Sequence, residues 1–125
     1  MAQILVFVSY PAMRQALALA LQQAGWQVAL AQTDRDALTA LEQTTYNVLV
    51  LDMDIPTGDS WRILQALQRS QQTIPVVALF GPESHRVLEA QALGAHVILP
   101  KPVRKEALMT GVNAALQVHS GQSSG

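Results

Sequence analysis

Three side chains in this sequence have the types and the placement to do chemistry together: Asp52, Asp54 and Lys101. Asp52 follows the apolar run Val48-Leu49-Val50-Leu51, and Asp54 comes two residues later. The chain has only two lysines, and one of them stands in Pro100-Lys101-Pro102, where both prolines restrict the backbone that presents it. Carboxylates beside an ammonium can accept a transferred group, help to hold a cation, or form a standing ion pair. Other chemistries drop out on composition. Zero cysteines exclude a disulfide scaffold, a thiolate zinc site and a cysteine nucleophile. His85, His96 and His119 lack close ligand spacing and read as surface imidazoles.

The elements that must position these groups are legible as alternating patterns. Apolar runs at Ile4–Val8, Gln27–Ala31, Val48–Leu51, Val76–Phe80 and His96–Leu99 predict five strands, four of them continuous enough to be buried on both faces of a parallel sheet. Between them Met13, Ala16, Leu17, Ala20, Leu21 and Ala24 make one helical stripe, which Gly25 stops. Thr33 predicts the N-cap of a second helix carrying Ala37, Leu38 and Leu41. Asp59 or Ser60 is the expected cap of a third, with Ile63, Leu64 and Leu67. A fourth is expected from about Glu83 to Leu93, closed by Gly94, and Pro102 is expected to open a fifth with Leu108, Gly111, Val112 and Ala115 on one side.

Five strand–helix units with short connections imply right-handed crossovers and a parallel sheet covered on both faces. At 125 residues with 50% hydrophobic and 14% charged residues, the chain is one folded domain rather than a disordered segment. We expect residues 1–118 to form it and residues 119–125, with a linker composition of Ser, Gly and Gln, to be a flexible tail. Eight basic and nine acidic residues give a net charge of −1 and no basic run beyond Arg104-Lys105, so neither nucleic acid nor an anionic membrane is an expected direct partner. No apolar run approaches the roughly 18 residues of a membrane span, and the first residues lack a signal pattern. A cytoplasmic location is the expectation. In such α/β folds ligands bind outside the carboxyl ends of the strands, which nominates Val8, Ser9, Asp52, Asp54, Phe80, Gly81 and Lys101.

The segment from Val48 to Ser60, Val-Leu-Val-Leu-Asp-Met-Asp-Ile-Pro-Thr-Gly-Asp-Ser, resembles the phosphoacceptor segment of the receiver domain of two-component response regulators. Leu99-Pro100-Lys101-Pro102 is similar to the same family's lysine–proline segment, with Gly94-Ala95 ahead of it, and Ile4–Phe7 with Pro11–Arg14 matches the opening strand and helix. The resemblance covers residues 3 to 118. It implies a flavodoxin-like (βα)5 sandwich with strand order 2-1-3-4-5, phosphorelay signalling without stand-alone catalysis, and Asp52 as phosphoacceptor.

Departures from that family pattern are equally specific. Val8 and Ser9 stand where the resemblance implies an acidic pair that holds magnesium. Phe80 replaces a Ser or Thr at the end of the fourth strand, and Ile98 replaces an aromatic of the fifth. Magnesium favours carboxylate oxygens and gives up water reluctantly, so Asp52 and Asp54 without the pair are expected to bind it weakly. Phosphoryl transfer depends on charge neutralisation at the transferred group, so phosphorylation of Asp52 is expected to be slow or absent. Asp52 and Lys101 then serve as a structural clamp.

The alternative is a pseudo-receiver that works by protein contact or small-ligand binding without phosphorylation. A remote alternative follows from Asp52-Met53-Asp54, which also resembles the two-aspartate motif of haloacid-dehalogenase-type phosphohydrolases, although Pro56 departs from that motif. The receiver resemblance implies a sensor histidine kinase or other signalling protein as partner. It also implies pairing through the fourth helix, fifth strand and fifth helix, where Arg86, Glu89, His96, Met109 and Asn113 lie.

Overall fold

The computed structural model describes residues 2–124, with side chains through residue 117. Its elements alternate as β1 (Gln3–Phe7), α1 (Pro11–Gln23), β2 (Gln27–Ala31), α2 (Asp34–Gln43), β3 (Val48–Asp52), α3 (Asp59–Arg69), β4 (Val76–Phe80), α4 (Val87–Ala92), β5 (Ala95–Pro100) and α5 (Lys105–Ser124). All four strand pairings are parallel, in the order β2-β1-β3-β4-β5. This is the flavodoxin-like arrangement. The tail expected at 119–125 falls outside the described side chains.

Alternation along the strands divides the core in two. Ile4, Val6, Val48, Val50, Val77 and Leu79 face Leu17 and Leu21 of α1 and Leu108, Val112 and Ala115 of α5. Leu5, Phe7, Leu49, Leu51, Ala78 and Phe80 face α2, α3 and α4 through Ala37, Leu41, Ile63, Leu64 and Ala90. Both faces of β3 are thus covered, and all five of its residues are buried. Asp52 is the last of them. The sheet therefore carries a carboxylate to the end of its central strand with no solvent around it.

Several boundaries differ from the sequence expectation, each for a local reason. The third helix is capped neither by Asp59 nor by Ser60 but by Gly58, whose left-handed backbone (φ 75°) suits a residue without a Cβ. Ser60 is instead turned inward. The fourth helix starts at Val87 rather than near Glu83, because Gly81-Pro82 begins a turn closed by the Ser84 amide donating to the Gly81 carbonyl. Pro102 does not open α5. The Lys101 amide still donates to the Phe80 carbonyl at 2.8 Å, extending the β4–β5 ladder, and the chain needs Pro102–Arg104 to turn before α5 begins at Lys105; the Lys101–Pro102 bond is cis. Thr33 does cap α2, its hydroxyl accepting from the Asp36 amide at 3.0 Å.

Candidate functional site

Register brings the candidate residues together. Phe7 pairs with Leu51 and Asp52 with Leu79, so Val8, Asp52 and Phe80 end adjacent strands on one edge. The Met53 amide donates to the Leu79 carbonyl at 3.0 Å, which holds the first residue past β3 against β4. Lys101 arrives from β5 on the ladder bond to Phe80.

Asp52 is fully buried. Its Oδ1 accepts from Lys101 Nζ at 2.6 Å and from the Asp54 amide at 3.1 Å, while Oδ2 is buried with no hydrogen-bond partner in the protein. Its carbonyl accepts from the Ser60 hydroxyl, which locks the start of α3 to the end of β3. Ser60 is itself buried. A single small hydroxyl on an otherwise apolar helix face was the only signal for this role in the sequence.

Lys101 also lies 2.9 Å from Asp54 Oδ2, so one ammonium bridges two carboxylates. Burial alone would lower the Lys101 pKa, but the two carboxylates outweigh it and raise the pKa above its usual value. Asp54 is more engaged than a loop residue offering only a backbone carbonyl. Its Oδ2 accepts from the Gly81 amide as well.

The remaining candidates define what the edge lacks. Val8 is fully buried among apolar side chains, Ser9 is exposed, and Ile98 is half-buried on β5 against the α2–α3–α4 core. Arg14, which sequence reasoning passed over, reaches back from α1 so that Nη1 donates to the Val8 carbonyl at 3.3 Å. Phe80 packs edge-on against Trp61, with ring centroids 6.4 Å apart and planes at 62°. The Arg86 guanidinium caps the indole, 3.8 Å above its centroid, while pairing with both carboxylate oxygens of Glu89.

A magnesium ion, which the receiver resemblance implies, finds a poor donor set. One Asp52 oxygen is free of partners, but Val8 offers none and both nearby carboxylates already face Lys101. Among the described residues no three His, Asp or Glu side chains cluster closely enough to hold a metal ion. A cavity of about 350 Å³ opens at the opposite end of the strands, lined by Leu67, Gln72, Ile74, Pro75, Leu93 and His96, so Trp61 and Phe80 do not line it.

The sequence model of the response regulator receiver domain matches residues 4–113. The chain belongs to the receiver-domain family. This receiver is 33% identical over 106 residues to the Escherichia coli transcriptional regulatory protein HprR, covering 83% of this chain and 47% of that one. It is 32% identical over 109 residues to the Salmonella typhi sensor histidine kinase RcsC, covering 84% of this chain and 11% of that one. The receiver thus spans about half or less of the length of these curated relatives. Among solved structures, the Vibrio cholerae chemotaxis response regulator CheY4 superposes with TM-score 0.81 at 27% identity, covering 93% of this chain and 99% of that one. The receiver domain of Francisella response regulator 1452 shares the fold with TM-score 0.86 at 22% identity, covering 95% and 99%. A receiver is a module of two-component signalling, and membership of this family replaces the phosphohydrolase reading. Among the described residues no helix is long and apolar enough to cross a membrane.

Proposed function

We propose that this chain is an atypical receiver of phosphorelay signalling in which Asp52 holds the phosphoacceptor position and magnesium-dependent phosphorylation is weak or absent. One observation carries the reading: Asp52 is fully buried with Oδ1 on Lys101, while the neighbouring strand end offers the buried valine Val8 in place of a carboxylate. The ion pair then does what a metal would otherwise do for this carboxylate, which is to balance its charge out of water. Asp54 belongs to the same balance and Phe80 closes the strand end with a ring instead of a hydroxyl. A sensor histidine kinase or another cytoplasmic signalling protein is the partner, and residues 1–118 are the unit that acts.

Magnesium affinity tests this directly. Trp61 lies in contact range of Phe80 at the strand end and serves as the reporter. Wild type is expected to show no saturable fluorescence change below millimolar magnesium. Saturation in that range, abolished by Asp52→Asn, would overturn the reading.

A second reading, contact-driven signalling without phosphate, is favoured by Leu88, which stands 80% exposed on α4 beside the Arg86–Glu89 pair. Together with His96 and Asn113, both exposed, it offers a surface for a second copy of the chain or a regulatory protein.

A further inference from the structure

At the end of the sheet away from Asp52, the cavity of about 350 Å³ is walled by the last turns of α3 and α4, by residues 71–75 and by the first residues of β4 and β5. Leu67, Ile74 and Leu93 give it an apolar wall, and no Asp, Glu, Lys or Arg lines it. Both helices end on it, and a helix C-terminus carries partial negative charge. These walls disfavour an anion and offer no carboxylate to a cation. A cavity of roughly 150 Å³ accommodates benzene, so this one has room for a fused pair of rings. One turn of helix with its side chains, about 10 Å across and about 5.4 Å high, is larger than the space.

Two backbone irregularities place polar side chains on this cavity. Val76 pairs with Ala95 and Val77 with Val97, so His96 is the extra residue of a bulge, the device that re-aims a side chain. The Val76 amide donates to His96 Nδ1 at 3.3 Å. An accepting Nδ1 puts the proton of the neutral ring on Nε2, which makes Nε2 a donor. Burial of part of the ring lowers the His96 pKa and favours that neutral form. Gln71, just past α3, is the second irregularity. Its φ of 58° is one that glycine adopts without strain, and Gly25 and Gly94 occupy the corresponding places after α1 and α4. Position 71 keeps a side chain there, and that side chain lines the cavity.

We propose that this cavity is a binding site for an uncharged bicyclic molecule bearing a carbonyl group, with the rings between Leu67, Ile74 and Leu93 and the carbonyl accepting from His96 Nε2. The site goes beyond the receiver reading and does not depend on it, because Asp52 and Lys101 lie at the other end of the strands.

The probes are coumarin, a neutral bicycle with a carbonyl, its 3-carboxylate, which is ionised at neutral pH, and chroman, which lacks the carbonyl. Each is titrated into the full chain and followed through amide resonances. For a molecule of this size saturable binding at about millimolar concentration is expected for coumarin, with the largest shifts at Thr73, Ile74 and Gly94. The carboxylate is expected to bind at least about tenfold more weakly. Chroman is expected to bind about fivefold more weakly than coumarin, and His96→Leu to remove that difference. Ala92→Phe, at an exposed position on the cavity wall, is expected to abolish coumarin binding by filling the space. If that chain does not fold, Thr73→Phe fills the cavity from another exposed position. Absence of saturation by coumarin, shifts centred away from these amides, equal binding of the carboxylate, a carbonyl preference that survives His96→Leu, or unchanged affinity in a folded cavity-filling variant would overturn the proposal.

Discussion

Lys101 Nζ stands 2.6 Å from Oδ1 of Asp52, a carboxylate with no exposed surface. Removing the cation leaves a buried charge without its partner, so Lys101→Met is expected to destabilise the fold by about 3 kcal/mol. Asp52→Asn/Lys101→Met together are expected to cost less than the lysine change alone. Denaturant melts of the three variants measure this, and a neutral Lys101→Met would show that the pair holds nothing.

The same pair sets a pH response. The folded Lys101 pKa lies above the usual 10.5, despite the opposing effect of burial, because Asp52 and Asp54 stabilise the charged form. A raised pKa contributes stability that is fully present below 10.5 and is lost as pH rises through the folded value. Wild type should therefore lose stability faster than Asp52→Asn/Lys101→Met on the alkaline side, measured by parallel melts across that range.

Restoring the missing carboxylates should restore the metal. Val8 is fully buried, so Val8→Asp/Ser9→Asp places a charge in an apolar setting and is expected to lower stability by several kcal/mol without metal. Magnesium is then expected to raise the melting temperature of this variant in a saturable manner while leaving wild type unmoved. A magnesium response equal in both chains would show that the acidic pair is not what this edge lacks.

Association through the α4 side is testable at one exposed residue. Met109 packs partly against the core, so a charge there would confuse folding with pairing, whereas Leu88 is 80% exposed. If copies pair on this face, wild type sediments with a concentration-dependent mass and Leu88→Glu does not. A concentration-independent monomer in both samples removes the dimer from the account.

The sheet was readable in the sequence because parallel strands covered on both faces must be apolar throughout, and Val48–Leu51 or Val76–Phe80 admit few other readings. Gly25 and Gly94, both at positive φ, likewise announced where α1 and α4 end. Contacts between distant segments were not readable. Gly81 and Asp54 are 27 residues apart, and nothing in either neighbourhood marks their bond. The start of α4 was misplaced because the pattern from Glu83 to Leu93 is helical in composition while the Gly81-Pro82 turn delays it. On α4, Val87 and Ala90 are the residues that turn inward, while Leu88 faces out. Asp52 and Lys101 were found because the carboxyl ends of parallel strands share one edge, which puts residues at the ends of β3 and β5 on it.

The central claim concerns what Asp52 does with a phosphodonor. Intact-mass measurement of wild type after incubation with acetyl phosphate and magnesium tests it most directly, because each phosphoryl group transferred to Asp52 releases acetate and adds a fixed mass. The account predicts an unchanged mass or slow, partial labelling that disappears in Asp52→Asn. Rapid, near-stoichiometric addition of one phosphoryl group to wild type would contradict it.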